Sequence, residues 1–188
     1  TLLQREYIDS SQVIAIGSHG QTIRHTPPGD GNNRHPFTLQ IGDPNTIAHL
    51  TGITTVADFR RRDIALGGQG APLTPLFHRA TFEKPGTLRA IINIGGIANI
   101  TLLFGDGVSS PLGYATGPGN GLMDSWILQS LGEAYDDNGQ WASEGQVIPT
   151  LLEQFLKTPY LFKKAPKSTG RELFNPEWLS QQLVSFGD

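Results

Sequence analysis

Three observations in the sequence predict a mixed α/β fold of two lobes. Short β-branched runs end again and again in glycine-rich polar turns, and several helical stretches open on a proline behind a capping residue. The composition also changes at Lys84 to Thr87, where Pro85 and Gly86 break the pattern between a helix and a strand. That break divides the chain into residues 1–84 and 85–188, and 188 residues can bury a core without disulfides or structural metals.

Taken in order, Gln12-Val13-Ile14-Ala15-Ile16 reads as a buried strand that opens into the polar turn Gly17-Ser18-His19-Gly20. Arg24 to Pro36, with three prolines and two glycines, reads as a loop or hairpin tip before a strand at Phe37 to Ile41. Asp43-Pro44 starts a helix, because the aspartate can accept orphan amides while proline occupies the first turn, and Gly52 ends it. Ile53 to Ala57 is then a strand delivering Asp58-Phe59-Arg60 to its carboxyl end, where ligand-facing residues of open α/β sheets emerge. Asp63 to Gln69 reads as a glycine-bearing loop, and Ala71-Pro72 as the start of a helix with Leu73, Leu76, Phe77 and Ala80 on one face.

Beyond the break, Arg89 to Ile94 and Ile97 to Leu103 read as a β-hairpin turning at Gly95-Gly96. Three helices follow: Leu122 to Leu131 stopped by Gly132, Ile148 to Leu156 with Pro149 in its first turn, and one opened by Asn175-Pro176-Glu177. Trp126, Trp141 and Trp178 belong most simply to cores or helix contacts.

Composition excludes several classes of function. Lys plus Arg total 14 against 17 Asp plus Glu, a net charge of −3, so no basic surplus exists for binding nucleic acid. The absence of cysteine removes disulfide frameworks, zinc fingers and thiol nucleophiles and is compatible with a reducing compartment without proving one; the location expected is cytoplasmic. The most apolar stretch, Arg89 to Phe104, is interrupted by Asn93, Gly95, Gly96, Asn99 and Thr101, so no membrane span is expected. Thr1 reads as an internal start without a signal-peptide layout.

Four segments dense in polar residues, three of them also in glycine, lie at strand ends: residues 17–22, 58–63, 93–99 and 116–121. Together they suggest backbone amides and small residues brought close to an anionic or polyhydroxylated ligand. Lys167-Ser168-Thr169 is not a Walker A ending, since Pro166 stands where glycine is required, and Gly117, Gly119 and Gly121 lack the dinucleotide spacing. Gly95-Gly96 is either an ordinary tight turn or a pair of exposed amides for phosphate oxygens, flanked by Asn93 and Asn99. Gly117 to Gly121 either merely caps the next helix or aims its free N–H groups, with Asn120 as cap, at an anion.

Asp58 is the candidate general base: it closes a β-branched strand, and Arg60, Arg61 and Arg62 would keep it ionised and attract an anionic substrate. The plain alternative is a surface aspartate in a local ion-pair cluster. Asp63, paired with those arginines, and Asp124, early in its helix, are weaker candidates. His19 and Gln21 could hydrogen-bond sugar hydroxyls, or His19 could be a satisfied turn histidine. His25, His35, His49 and His78 lack metal-ligand spacing.

Residues 17–22 (GSHGQT), 40–44 (QIGDP), 56–60 (VADFR), 67–72 (GGQGAP), 93–99 (NIGGIAN), 116–120 (TGPGN) and 166–172 (PKSTGRE) together resemble the anhydro-N-acetylmuramic acid kinase family, in family order along almost the whole chain. The resemblance implies the sugar kinase, Hsp70 and actin superfamily, with two ribonuclease-H-like lobes and ATP in the cleft between them. It implies hydrolytic opening of 1,6-anhydro-N-acetylmuramic acid coupled to phosphorylation, giving N-acetylmuramic acid 6-phosphate in cell-wall recycling, with Mg2+ on the phosphates. Carried over by position, Asp58 activates water, and Ser18, His19, Gln21 and Arg60 bind the sugar. Asn93, Gly95, Gly96, Asn99, Gly117, Gly119 and Asn120 border the nucleotide. Residues 1–84 would be the C-terminal part of the sugar lobe and residues 85–188 the N-terminal part of the nucleotide lobe. The family's first phosphate loop and adenosine segment have no counterpart here, so the chain is expected to be a middle portion that need not turn over alone. A homodimer is compatible with this reading. Other expectations kept open are a different sugar or acyl-phosphate kinase of the superfamily and a non-catalytic sugar- or nucleotide-binding module.

Overall fold

A computed structural model describes residues 2–28 and 35–184. Among them the chain is mixed α/β and divides into two compact units, Thr1–Gly70 and Ala71–Asp188. The composition break at Lys84 to Thr87 therefore falls inside the second unit.

The first unit opens with a short helix, α1 (Leu2–Arg5), and a 3-10 turn at Ser10–Gln12. Strand β1 (Ile16–Ser18) follows, then the hairpin β2 (Gln21–Thr26) and β3 (Phe37–Ile41), helix α2 (Pro44–Thr51), strand β4 (Thr55–Ala57) and helix α3 (Phe59–Ala65). Strands β1 and β4 run parallel, with Ser18 level with Ala57, while β2 and β3 are antiparallel with an irregularity between Thr22 and Arg24. The expected loop at 24–36 is thus a hairpin whose first three residues are strand; part of its tip, residues 29–34, lies outside the described residues.

Two expectations in this unit are corrected. The strand expected from Gln12 begins only at Ile16, and Ile14 is 94% exposed. A capping box explains the delay: the Asp9 carboxylate accepts from the Ser11 amide, while the Gln12 side chain accepts from the Asp9 amide, which holds Ser10–Gln12 in a turn. The loop expected from Asp63 is shorter, because Asp63 to Ala65 belong to α3. Helix α2 forms as expected, with Asp43 capping two amides and Gly52 in the left-handed conformation after its last turn.

The second unit contains α4 (Pro75–Phe82), a three-stranded antiparallel sheet of β5 (Arg89–Ile94), β6 (Ile97–Leu103) and β7 (Leu112–Pro118), and α5 (Asn120–Leu131). Helices α6 (Gln140–Glu144), α7 (Pro149–Leu156) and α8 (Pro176–Leu183) complete it, with 3-10 turns before α6 and at Pro159–Phe162. Helix α4 starts at Pro75 rather than Ala71. A helix running from Ala71 would place Pro75 in its interior, where proline supplies no amide for the carbonyl of residue 71 and its ring clashes there. The expected apolar stripe is also largely open, with Leu76 73% and Phe77 63% exposed.

Strand β7 is absent from the sequence-based expectation, which made residues 117–121 a loop. It is an edge strand bonded to β6 alone within its sheet, a position that tolerates Gly113, Gly117 and Pro118. Its other side is not left bare: Ala115 donates its amide to the Lys167 carbonyl at 3.2 Å, and the Tyr160 hydroxyl donates to the Ala115 carbonyl at 2.8 Å. Ala115, Tyr160 and Phe174 are buried together, with Trp178 edge-on to Phe174, while Leu103 and Thr101 of β6 are fully buried.

Candidate functional site

In the first unit, β1 and β4 end at the same level, so the next residue on each, His19 and Asp58, leaves the carboxyl end of a parallel pair. Asp58 lies in the left-handed region at φ 60° and ψ 40°, uncommon for a residue with a side chain, and stands at the start of α3 without capping it. Its carboxylate is instead 3.1 Å from the Arg61 guanidinium, one turn along the helix. Both side chains are largely exposed, so this ion pair contributes little to stability.

Arg60 points elsewhere. Its Nε donates to His19 Nε2 at 2.7 Å, and its Nη1 donates to the Gly70 carbonyl at 2.6 Å. Because His19 Nε2 accepts, the network assigns the imidazole proton to Nδ1, which donates to the Gly20 carbonyl at 2.8 Å. Burial draws the Arg60 guanidinium below the usual arginine range. Asp63 does not pair with the arginines; its carboxylate accepts from the Gly70 amide at 2.6 Å and ties down the loop after α3. Ser18 ends β1 half-buried, and exposed Gln21 opens β2, its amide making only a 3.5 Å contact to the Thr22 carbonyl.

In the second unit, Asn93 and Asn99 are directly opposite across β5 and β6, at the base of the Gly95-Gly96 turn. This turn is docked on the start of α5: the Asn120 amide donates to the Gly95 carbonyl at 2.9 Å, and the Gly119 and Gly121 amides donate to the Gly96 carbonyl at 3.0 and 3.3 Å. The expectation of free N–H groups at that helix start is therefore corrected, since the hairpin consumes three of them. The cap residue is Gly119, and Asn120 is the first residue of the helix. A Cβ on Gly119 would collide with the Gly95 carbonyl oxygen, which explains glycine there. At Gly95 and Gly96 no chain atom demands it: an added Cβ would meet nothing nearer than 3.8 and 3.9 Å, and neither residue has positive φ.

Residues 166–172, singled out in the sequence but given no site role, supply two cations here. Lys167 is buried, donates to the Tyr160 and Leu161 carbonyls at 3.1 and 3.0 Å, and lies 4.7 Å over the Tyr160 ring. Burial, and then the Lys163 charge, lower its pKa. It braces the turn at Pro159–Phe162 and is no phosphate-binding lysine. Arg171, whose Nη2 would lie 4.0 Å from a Cβ on Gly96, brings a guanidinium to the glycine turn. Spacing alone could not single it out; its place within the 166–172 motif was the signal. A groove of about 690 Å3 beside Gly117 and Gly119 is lined mainly by apolar side chains, among them Trp126, Phe155, Leu161 and Trp178.

A histidine and an aspartate at the ends of a parallel strand pair, and a glycine hairpin clamped to a helix start, define a mixed α/β protein that presents polar groups at strand ends. The sequence profile of the anhydro-N-acetylmuramic acid kinase family matches residues 1–188, and the chain belongs to that family. It is similar to the anhydro-N-acetylmuramic acid kinases of Coxiella burnetii (58% identical over 97% of this chain and 48% of the relative) and Shewanella loihica (58% over 99% and 49%). The enzyme of the same name from Shewanella oneidensis is also 58% identical, over 98% of this chain and 49% of the relative. The chain spans about half the length of the curated relatives it matches.

Proposed function

We propose that the protein is an ATP-dependent phosphotransferase that opens 1,6-anhydro-N-acetylmuramic acid with water and phosphorylates it to N-acetylmuramic acid 6-phosphate in cytoplasmic cell-wall recycling. Family membership supports the reaction class. The observation that carries the assignment of roles is Asp58, held in an uncommon backbone conformation at the end of β4, beside the end of β1. In this reading residues 1–84 serve the sugar and residues 85–188 the nucleotide, as parts of the two ribonuclease-H-like lobes of the superfamily.

The Asp58 carboxylate takes a proton from a water that attacks the anomeric carbon. The C1–O6 bridge bond breaks, and the freed O6 attacks the γ-phosphorus of ATP, with ADP as the leaving group. Ser18, Gln21 and Arg60 form the sugar-facing set, with His19 bonded behind Arg60. The half-buried turn Gly95-Gly96, with Asn93, Asn99, Gly117, Gly119 and Asn120 around it, forms the phosphate side, and Arg171 adds positive charge where charge develops. Glycines that nothing in the chain requires suit a backbone approached by phosphate oxygens. Mg2+, which this chemistry calls for, finds no group of three His, Asp or Glu side chains among the described residues. Among the described residues no helix is long and apolar enough to cross a membrane.

In the full-length enzyme, Asp58→Asn should leave sugar affinity within a few-fold and lower kcat by about 100- to 10,000-fold, the usual share of acid-base catalysis. Calorimetry and an ADP-release assay measure the two; wild-type turnover in the variant rejects the role.

A further inference from the structure

Arg60 is the half-buried guanidinium of the first unit, and it has no carboxylate within ion-pair distance among the described residues. Its neighbour Arg61 takes the nearby Asp58 carboxylate instead. Two of the Arg60 N–H groups are committed inside the chain, one to His19 Nε2 and one to the Gly70 carbonyl, while Nη2 has no partner among the described residues. A guanidinium is planar, so anchoring it at Nε and Nη1 fixes the direction of the whole fork. The Gly70 anchor is itself held, since the Gly70 amide donates to Asp63.

His19 is equally committed. One ring nitrogen receives the Arg60 N–H and the other donates to the Gly20 carbonyl, leaving no ring nitrogen to meet a sugar hydroxyl. A partly desolvated cation aimed by two neutral acceptors, with no anion of its own, is poorly compensated until an anion arrives. Arg60 is also two residues beyond Asp58, in the first turn of α3, so whatever it binds lies close to the proposed reaction centre.

We infer that Arg60 is the receptor for the carboxylate of the muramic acid substrate, and that His19 is a positioning residue which aims Arg60 and does not touch the sugar. The inference rests on the kinase reading above and deepens it: the specificity of the sugar site is for an acid, read by a charge-assisted fork. A nucleotide or product phosphate would satisfy the same guanidinium, and the kinetics separate the two sources.

The test compares the anhydro sugar acid with its primary amide, which matches it in size and lacks the charge, in the full-length enzyme. Wild type should favour the acid in kcat/KM by about 10- to 100-fold, the range of a hydrogen bond to a charged group. Arg60→Gln should bring that ratio to about threefold or less, and Arg60→Lys, which keeps charge but loses the fork, should fall between. His19→Ala should lower the ratio mainly through the KM of the acid. His19→Gln, whose amide oxygen can accept from Arg60, should restore it, a rescue that a merely structural role would not produce. The KM for ATP should stay within a few-fold throughout. Wild type showing no preference, Arg60 variants keeping it, or Arg60 variants raising the KM for ATP with the ratio unchanged would each overturn the inference. Absence of turnover on either sugar would instead overturn the kinase reading, and the inference with it.

Discussion

Glycine has different causes at Gly119 and Gly96, and substitution separates them. At Gly119 a side chain would strike the Gly95 carbonyl, so Gly119→Ala should destabilise the protein by about 1–3 kcal/mol, as an overpacked contact does. At Gly96 a methyl group has room, so Gly96→Ala should leave the melting temperature unchanged. In the full-length enzyme it should weaken ATP on the order of 10-fold, by crowding the phosphate approach, and leave sugar affinity alone. Calorimetric melting with titrations of both ligands checks this; equal loss of ATP and sugar would point to a folding defect. Asp58 belongs to this scale too. Aspartate tolerates the left-handed region better than most residues, so the carboxylate proposed as the base can occupy a sharp strand-to-helix corner that the sequence does not disclose.

Among the elements, α2 shows how a cap couples a helix to pH. The Asp43 carboxylate accepts from the Asn45 and Thr46 amides and from the Thr46 hydroxyl, and that hydroxyl bond is the first cause of its lowered pKa. At the turn after β6, the Ser109 hydroxyl and the Ser109 and Val108 amides hold Asp106 down at about 2. Both groups have folded pKa values below their unfolded ones. Their stabilisation is therefore complete above the ordinary aspartate range near pH 4 and is lost as pH falls through the folded value, for Asp106 about pH 2. Melting temperature should accordingly drop between pH 5 and pH 2. Asp43→Asn, which keeps a capping oxygen but cannot titrate, should flatten part of that drop; an unchanged profile would remove Asp43 as a cause.

Across the whole molecule the two units differ in how much they bury. Among the described residues, the buried hydrophobic side chains of the first unit are Ile53 and Ile64, whereas the second holds Leu103, Ala115, Ile127, Tyr160 and Phe174. Amides of β5, β6 and β7 should therefore exchange with solvent most slowly, and those of β1, β4, β2 and β3 sooner, because local opening costs less where less apolar surface is buried. Hydrogen exchange read by mass spectrometry decides it; equal protection in both units would contradict the ordering.

Local signals were enough to specify α2, with Asp43 and Gly52 at its ends, the turn at Gly95-Gly96, the helix behind Asn175, and Asp58 at the end of a strand, because each depends on residues within a few positions of one another. The seven motifs along the chain also sufficed to identify the family. Contacts made at long range decided the rest. Strand β7 exists because β6 and the Lys167 segment satisfy its two edges, the amides at the start of α5 go to hairpin carbonyls more than twenty residues away, and His19 is turned to Arg60 by a bond across 41 residues. Composition cannot encode such partners; they are selected when buried or committed polar groups find acceptors only after the chain has folded.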